Sequence, residues 1–153
     1  MERITNPFVG LRSFEDSESH LFFGRDQQIQ NVITNLENTG FTAIIGSSGS
    51  GKSSLIRSGL IHAIKKTSEK DEEKNWRIGI FKPGYDPISN LSECLCSEEI
   101  IGDTKTTHLD DIQGHTLNIL RRDDSGISNF LNEFRENSSE NILLIIDQFE
   151  EIF

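Results

Sequence analysis

The sequence predicts an α/β protein built around a parallel sheet. Short apolar, β-branched runs alternate along the chain with segments of helical periodicity, which is the order of strand-helix-strand crossovers. The runs are almost continuously apolar, as in strands buried on both faces. One run leads directly into a Gly-rich segment that ends in Gly-Lys-Ser and opens a helical pattern. With 153 residues, about one domain is expected, and its crossovers should be right-handed.

The first part of the chain predicts two helices on either side of a strand. Asp26 to Asn38 carries apolar residues at helical spacing, and Gly40 is placed to terminate this helix. The run FTAIIG, residues 41–46, predicts a buried parallel strand. The residues from Gly51 to about Lys65 again show helical periodicity, with lysines at the end where they favour a helix C-terminus.

The second part predicts two further strands separated by helices. WRIGIFK, residues 76–82, is predicted to be a second strand, which Pro83 and Gly84 close. Helices are predicted over residues 87–96, about 110–121 and 125–136, and the last strand over 142–146.

The composition and charge of the chain argue against several classes of protein. Fifteen basic against twenty-five acidic residues give a formal charge of −10, which argues against binding to nucleic acid or an anionic membrane. No apolar run approaches the ~20 residues of a membrane span, and the N-terminus lacks the form of a signal peptide, so a cytoplasmic protein is expected. Cys94 and Cys96 are expected to be plain reduced thiols, and the histidines show no metal-binding spacing.

The segment Gly46 to Ser53 fits G-x-x-x-x-G-K-[ST] at every fixed position. Glycines let successive backbone N–H groups point at phosphate oxygens, and the helix N-terminus adds partial positive charge. Lys52 would reach the β- and γ-phosphates, and the Ser53 hydroxyl would bind Mg²⁺. The candidate nucleotide-binding residues are Gly46, Ser47, Ser48, Gly49, Ser50, Gly51, Lys52, Ser53 and Ser54.

A carboxylate at the end of a neighbouring buried strand is the second requirement of phosphate-loop chemistry, and ILLIID supplies it at Asp147. Asp147 is therefore a second candidate Mg²⁺ ligand. Glu150 and Glu151 are candidates for activating water, with Glu150 favoured, while Gln148 could orient a water without taking its proton. The alternative is that both glutamates form a solvated first helical turn.

Four collinear segments together resemble the STAND-class signalling NTPases, in particular the Novel STAND NTPase 1 family. They are NPFVGLRSF with HLFFGRD, IIGSSGSGKSSLIRSGL, FKPGYDP and LLIIDQFEEIF. In that family the F-G-R segment helps to line the adenine pocket, so the resemblance implies that Phe23, Gly24 and Arg25 lie beside the base. From the residues alone, the aromatic cluster would be core packing, and Arg25 a helix-start salt bridge.

The resemblance further implies an ASCE/AAA-like, three-layer αβα fold that binds ATP with Mg²⁺ and hydrolyses it slowly to reset a switch. Residues 1–40 would form an adenine-side segment and residues 41–153 the NTPase core up to the Walker B strand. In the family's strand order, the strand after Walker B inserts beside the phosphate-loop strand, so the sheet is expected to be incomplete. Partners would be ATP and ADP, with self-association or the repeat and effector domains of a longer protein.

Two other functions stay open at this point. The phosphate loop does not by itself determine whether water or a substrate hydroxyl attacks the phosphate, so a small-molecule kinase is possible. A kinase lid is rich in arginines, however, and the only adjacent arginine pair in the sequence is Arg121 and Arg122. A non-enzymatic module that binds nucleotide and assembles with copies of itself is the other alternative.

Overall fold

A computed structural model describes residues 24–68, 75–102 and 109–153. The chain forms two compact units, Met1–Lys70 and Asp71–Phe153. The first contains helices, and the second contains a parallel sheet covered by helices.

Helical segments make up the regular structure described in the first unit. They are α1 (Asp26–Thr39), α2 (Lys52–Ser54), a π-helical segment (Leu55–Leu60) and α3 (Ile61–Ser68). The predicted end of α1 is confirmed: Gly40 adopts φ 68°, and its N–H donates to the Leu36 carbonyl. Only a residue that tolerates the left-handed region closes a helix in this way without strain.

The strand predicted at residues 41–46 is wrong. The segment between α1 and the Gly-rich loop forms no strand, and two of its apolar side chains lie open, with Phe41 75% and Ile45 93% exposed. An extended segment becomes a strand only when another backbone pairs with it, and no described strand does so here. The apolar pattern predicts strand composition, but it does not specify a pairing partner.

The helix predicted after the loop is present, but its middle is π-helical. Leu55–Leu60 follows α2 directly and leads into α3, and it packs against α1. Leu55 and Leu60 of this segment are buried, as is Ile29 of α1. A π-helical turn inside a longer helix is rare and is often found beside functional sites.

The second unit follows the predicted order closely. Its elements are β1 (Trp76–Phe81), α4 (Pro87–Leu95), α5 (Glu98–Ile101), α6 (Leu109–Arg122), α7 (Gly126–Asn137), β2 (Asn141–Ile146) and a terminal 3₁₀ turn (Phe149–Ile152). Only α5 and the 3₁₀ turn were not predicted as separate elements. The Ser-Glu-Glu start of α5 and its end at Gly102, which has φ 78°, are ordinary helix-boundary signals.

The two described strands, β1 and β2, form a parallel pair. The register runs from Trp76 opposite Asn141 to Phe81 opposite Ile146. The protein is therefore a mixed α/β structure with a small parallel sheet, as the sequence predicted at this level. At one end of the pair Asn141 N donates to Asn75 O, and at the other end Asp147 N donates to Phe81 O. Each N···O distance is 2.9 Å. The carboxyl ends of both strands thus lie at the same edge of the sheet.

The core of the second unit lies between one face of the sheet and the helices α4 to α7. Its buried members are Leu91, Leu95, Ile100, Leu120 and Phe130. Side chains at alternate sheet positions, among them Phe81, Ile142 and Leu144, pack onto this cluster. This packing fixes the register and hence the position of every residue at the carboxyl edge.

A polar cluster fixes the start of α4. Asp86 accepts hydrogen bonds from Ser89 N (3.2 Å) and Ser89 Oγ (2.7 Å), and Pro87 occupies the first turn. The pKa of Asp86 is lowered, first by the Ser89 hydroxyl, then by the Ser89 N–H, with a smaller contribution from Arg121. Arg121 reaches this cap from α6, donating to Asp86 Oδ2 (3.3 Å) and Ser89 Oγ (3.2 Å).

Cys94 and Cys96 are both free and buried, which confirms the prediction of unpaired thiols. Cys96 Sγ donates to Thr116 Oγ1 over 3.3 Å. Burial, followed by the charges of Glu99 and Glu93, raises the pKa of Cys94 to about 11. Cys94 is therefore a neutral packing group at physiological pH.

No helix in the described parts of the chain is long and apolar enough to cross a membrane.

Two glycines of the second unit are expected to respond to alanine in opposite directions. A Cβ on Gly126 would lie 2.7 Å from Leu120 Cα and 2.8 Å from Ile119 O, and these backbone atoms cannot move aside easily. Gly126→Ala should therefore lower the free energy of unfolding by about 1–3 kcal/mol. Gly114, within α6, has open space around it, and Gly114→Ala should raise the free energy of unfolding by about 0.5–1 kcal/mol. Urea unfolding of both variants measures the difference, and an equally stable pair would contradict the packing of α6 against α7.

Candidate functional site

The Gly-rich loop that precedes α2 has the backbone that its glycines were predicted to allow. Gly49 and Gly51 adopt φ 75° and 85°, values that other residues rarely reach. A Cβ on Gly46 would lie 2.8 Å from Ser50 Oγ, so a side chain there would push into the loop. Ser50 N donates to Ser47 O over 3.2 Å, which closes a turn within the loop. The loop is a tight, glycine-dependent curl at the start of a helix.

Lys52 lies folded over this curl. Its ammonium donates to Gly46 O (2.7 Å) and to Ser47 O (3.1 Å). The cation is thereby held at the loop rather than directed into solvent. An anion bound over the loop would lie close to the positive charge of Lys52 and to the N-terminus of α2.

The other predicted loop residues lie on the same curl or on the first turn of α2. Ser53 and Ser54 are half-buried and follow Lys52 in α2, while Ser47, Ser48 and Ser50 are exposed. Leu55 N donates to Gly51 O over 2.9 Å, so the helix begins where the motif ends. The first unit therefore brings residues 46–54 together as one compact structure.

In the second unit, Asp147 lies at the carboxyl edge of the sheet. Its N–H donates to Phe81 O, which extends the ladder one bond beyond β2 and places the Asp147 backbone at this edge. Asp147 is half-buried. Lys82 directly follows β1 at the same edge and was not singled out from the sequence, although a lysine immediately after a strand was a visible signal.

Gln148 has the one positive φ among the non-glycine residues that the structure describes, with φ 60° and ψ 46°. The chain turns sharply there into the 3₁₀ turn, which Glu151 N stabilises by donating to Gln148 O over 2.9 Å. Glu150 and Glu151 lie in this turn, and both are exposed. Strained backbone of this kind is most often found at functional sites.

The three residues expected beside the adenine lie at the start of α1. Phe23 falls outside the described residues. Gly24 adopts φ 79°, and Arg25, which is exposed, donates from Nη1 to Gln28 Oε1 over 2.7 Å. Arg25 O accepts the first helical hydrogen bond, from Ile29 N. The arginine therefore occupies the helix-start position, and its partner is an amide rather than a carboxylate.

The comparisons with known proteins agree with these motifs. The model of the family described as Novel STAND NTPase 1 matches residues 7–153. The chain belongs to this family. No curated protein and no solved structure matches it. The match confirms the resemblance predicted from the four sequence segments, since the matched range covers all four except Asn6, the first residue of the first segment.

Membership of the Novel STAND NTPase 1 family suggests a nucleotide and Mg²⁺, and the residues present suit both. The glycine curl with its folded-over lysine suits phosphate oxygens. The Ser53 hydroxyl in the first unit and the Asp147 carboxylate in the second are each the kind of hard oxygen donor that Mg²⁺ prefers. In residues 24–68, 75–102 and 109–153 no cluster of three or more His, Cys, Asp or Glu forms a metal site. Such a cluster is not required when phosphates supply part of the coordination.

Proposed function

We propose that this chain binds ATP through the loop of residues 46–54 and supports slow, Mg²⁺-dependent hydrolysis as the switch of a STAND signalling protein. The observation that carries the proposal is the conformation of the loop. Its glycines occupy left-handed backbone positions, and the Lys52 ammonium is held over its carbonyls. Both features fit a triphosphate, and the family match supports the same reading.

In this proposal, phosphate binding replaces contacts that the loop now makes with itself. The Lys52 ammonium would exchange the carbonyls of Gly46 and Ser47 for β- and γ-phosphate oxygens. Backbone N–H groups of the curl and the start of α2 would hold the phosphates. Ser53 and Asp147 would hold Mg²⁺, which neutralises charge that develops on the phosphates.

Water would be positioned from the turn that follows β2. Gln148, held in a strained conformation, can orient a water, and Glu150 or Glu151 can accept its proton. Both carboxylates are exposed to solvent. At the other end of the nucleotide, Gly24 allows close backbone approach to the base, and Arg25 can stack on it.

Loss of the γ-phosphate is the step that would release the switch. Contacts to γ-phosphate and Mg²⁺ order surrounding segments in phosphate-loop switches, and hydrolysis to ADP removes those contacts. The partners in this account are ATP and ADP, together with further copies of the protein or the repeat and effector domains that accompany this NTPase module in its family. Residues 1–40 would act as the adenine-side segment of a core formed by residues 41–153.

The kinase alternative gains no support from the arginine pair. Arg121 is engaged with Asp86 and Ser89 at the start of α4, where it has a structural role within the second unit. A lid arginine would instead be held ready to move onto the phosphates.

The dependence of ATP binding on Mg²⁺ tests the assignment of Asp147. The affinity of the wild-type chain for ATP should rise when Mg²⁺ is added. Without Mg²⁺, Asp147→Asn should bind ATP as tightly as the wild type does. With Mg²⁺, its affinity for ATP should rise about tenfold less than that of the wild type, because an amide is a weaker ligand for a hard cation than a carboxylate. Isothermal titration with and without Mg²⁺ measures both affinities.

Asp124→Asn, at an exposed turn position between α6 and α7, is the matched control. An unchanged Mg²⁺ dependence in Asp147→Asn would show that the carboxylate does not serve the metal.

A further inference from the structure

The outer edge of β1 offers backbone hydrogen-bonding groups that β2 does not use. Asn75 O and Phe81 O accept hydrogen bonds from β2, so the odd-numbered residues of this strand direct their N–H and C=O groups toward β2. In a parallel ladder the groups of alternate residues point the opposite way. The N–H and C=O groups of Ile78 and Ile80 therefore point away from β2, and no described strand pairs with them.

A groove runs along this edge, between β1 and the helices α4 and α5. It encloses about 450 Å³, and Ile78–Lys82 form one wall, with Asn90, Glu93, Cys94 and Glu99 among the residues opposite. Gly79 and Cys94 pack closely together within it, since a Cβ on Gly79 would lie 2.7 Å from Cys94 Sγ. A space of this size accommodates several side chains of an extended peptide.

The two ends of the groove differ. At the carboxyl end of β1 the edge is closed, because Asn90 Nδ2 donates to Lys82 O (3.2 Å) and Pro83 O (2.8 Å). Further along, Glu93 and Glu99 are exposed at the rim. Both carboxylates act on the groove interior, where their charges add to burial in raising the pKa of Cys94. The part of the rim formed by Glu93 and Glu99 is therefore negative, with the neutral Cys94 thiol below it, while the basic Lys82 lies at the closed end.

We propose that this groove binds an extended, basic segment of a partner protein. The segment adds as a strand to the outer edge of β1, pairs with the backbone of Ile78 and Ile80, and directs lysine or arginine side chains toward Glu93 and Glu99. Strand addition of this kind takes affinity from main-chain hydrogen bonds and specificity from alternate side chains. The proposal stands independently of nucleotide binding, because the residues that would pair with the segment or attract it, Ile78, Ile80, Glu93 and Glu99, are not among the candidate nucleotide or Mg²⁺ ligands.

Charge selects this occupant over others. A second copy of the chain would bring the same acidic rim to the edge, and each copy carries a formal charge of −10. Like charges placed opposite each other across a strand pair are destabilising. Nucleic acid is excluded by the same sign of charge. An extended basic peptide meets both requirements. Its cationic side chains suit the acidic rim, and its backbone can pair with the outward-facing N–H and C=O groups of Ile78 and Ile80.

The test uses the whole chain and a fluorescent ten-residue peptide of alternating lysine and threonine. Fluorescence anisotropy should show binding that weakens as salt is raised. Two control peptides separate the contributions. One carries glutamate in place of lysine and should not bind. The other keeps the lysines but carries N-methyl groups on alternate backbone nitrogens, and it should bind at least about tenfold more weakly because strand pairing is blocked. Equal binding of the N-methylated peptide would overturn the proposal, since attraction to a negative chain would then account for it.

Matched double variants locate the site. Glu93→Gln with Glu99→Gln removes two negative charges at the groove, and Glu37→Gln with Glu136→Gln removes two exposed charges elsewhere. The groove pair should weaken peptide binding at least about tenfold, and the distant pair less than about twofold. Equal effects of the two pairs would overturn the proposal. Hydrogen exchange gives a readout without substitution: the peptide should protect the amides of Ile78 and Ile80, and unchanged exchange at both would contradict strand addition.

Discussion

Lys52→Ala should reduce the affinity of the chain for ATP by at least about a hundredfold. Removing the ammonium deletes the charge-assisted hydrogen bonds expected with two phosphate groups, each worth roughly 1.5–3 kcal/mol. It also deletes the bonds that now join the side chain to Gly46 O and Ser47 O, so the curl loses an internal support. Equilibrium titration with a fluorescent ATP analogue, in the presence of Mg²⁺, measures the loss.

The matched control is Lys66→Ala, which removes an exposed lysine from the last turn of α3. It changes the net charge by the same amount and should alter the affinity for ATP less than about twofold. Equal losses in both variants would mean that ATP responds to overall charge, and the assignment of the loop would fail.

The second large effect concerns the core of the second unit. Leu95 is fully buried at the centre of the cluster that joins the sheet to α4, α6 and α7. Leu95→Ala should lower the free energy of unfolding by about 2–5 kcal/mol, because it removes buried methyl groups and leaves a cavity. That is a large share of the roughly 5–15 kcal/mol by which domains are stable. Urea unfolding followed by circular dichroism measures the change.

Ile88→Ala, also in α4, is the control for this substitution. Ile88 is 38% exposed, so its truncation removes less buried surface and should cost about 1–2 kcal/mol, less than Leu95→Ala. A Leu95→Ala chain as stable as Ile88→Ala would show that the described cluster is not the core of this unit.

Most of the second unit followed from local patterns. The helices covering residues 87–95, 109–122 and 126–137, and both strands, were predicted to within one or two residues. Apolar periodicity decides these elements, and capping residues such as Asp86 and Pro87 mark where they begin. The short helix α5 was missed because a single turn has no periodicity to detect.

The first unit shows what local patterns cannot supply. The run of residues 41–46 has the composition of a strand, yet strand formation depends on a second backbone that the pattern does not specify. The π-helical turn at Leu55–Leu60 was equally hidden, because a π-helix and an α-helix share much of their apolar spacing. Gly59 was the one local sign of weakness in that helix, and it lies within the π-helical segment.

For the candidate site, residue type predicted conformation better than it predicted role. The loop glycines adopt the positive φ values that make the motif possible, and Asp147 follows the end of β2 as expected. The left-handed conformation of Gln148 could not be foreseen, because that residue type does not require it. The groove beside β1 was also invisible in the sequence, since it depends on which ladder groups face outward.

The most direct test of the central claim is an amide-resolved NMR titration of the chain with Mg²⁺ and ATP. If the loop cradles the triphosphate, the largest shift changes should fall on the amides of residues 46–54, whose N–H groups would bind phosphate oxygens. The Lys52→Ala chain should show no such changes at the same ATP concentration. Saturation with ATP that leaves the amides of residues 46–54 unmoved would contradict the account.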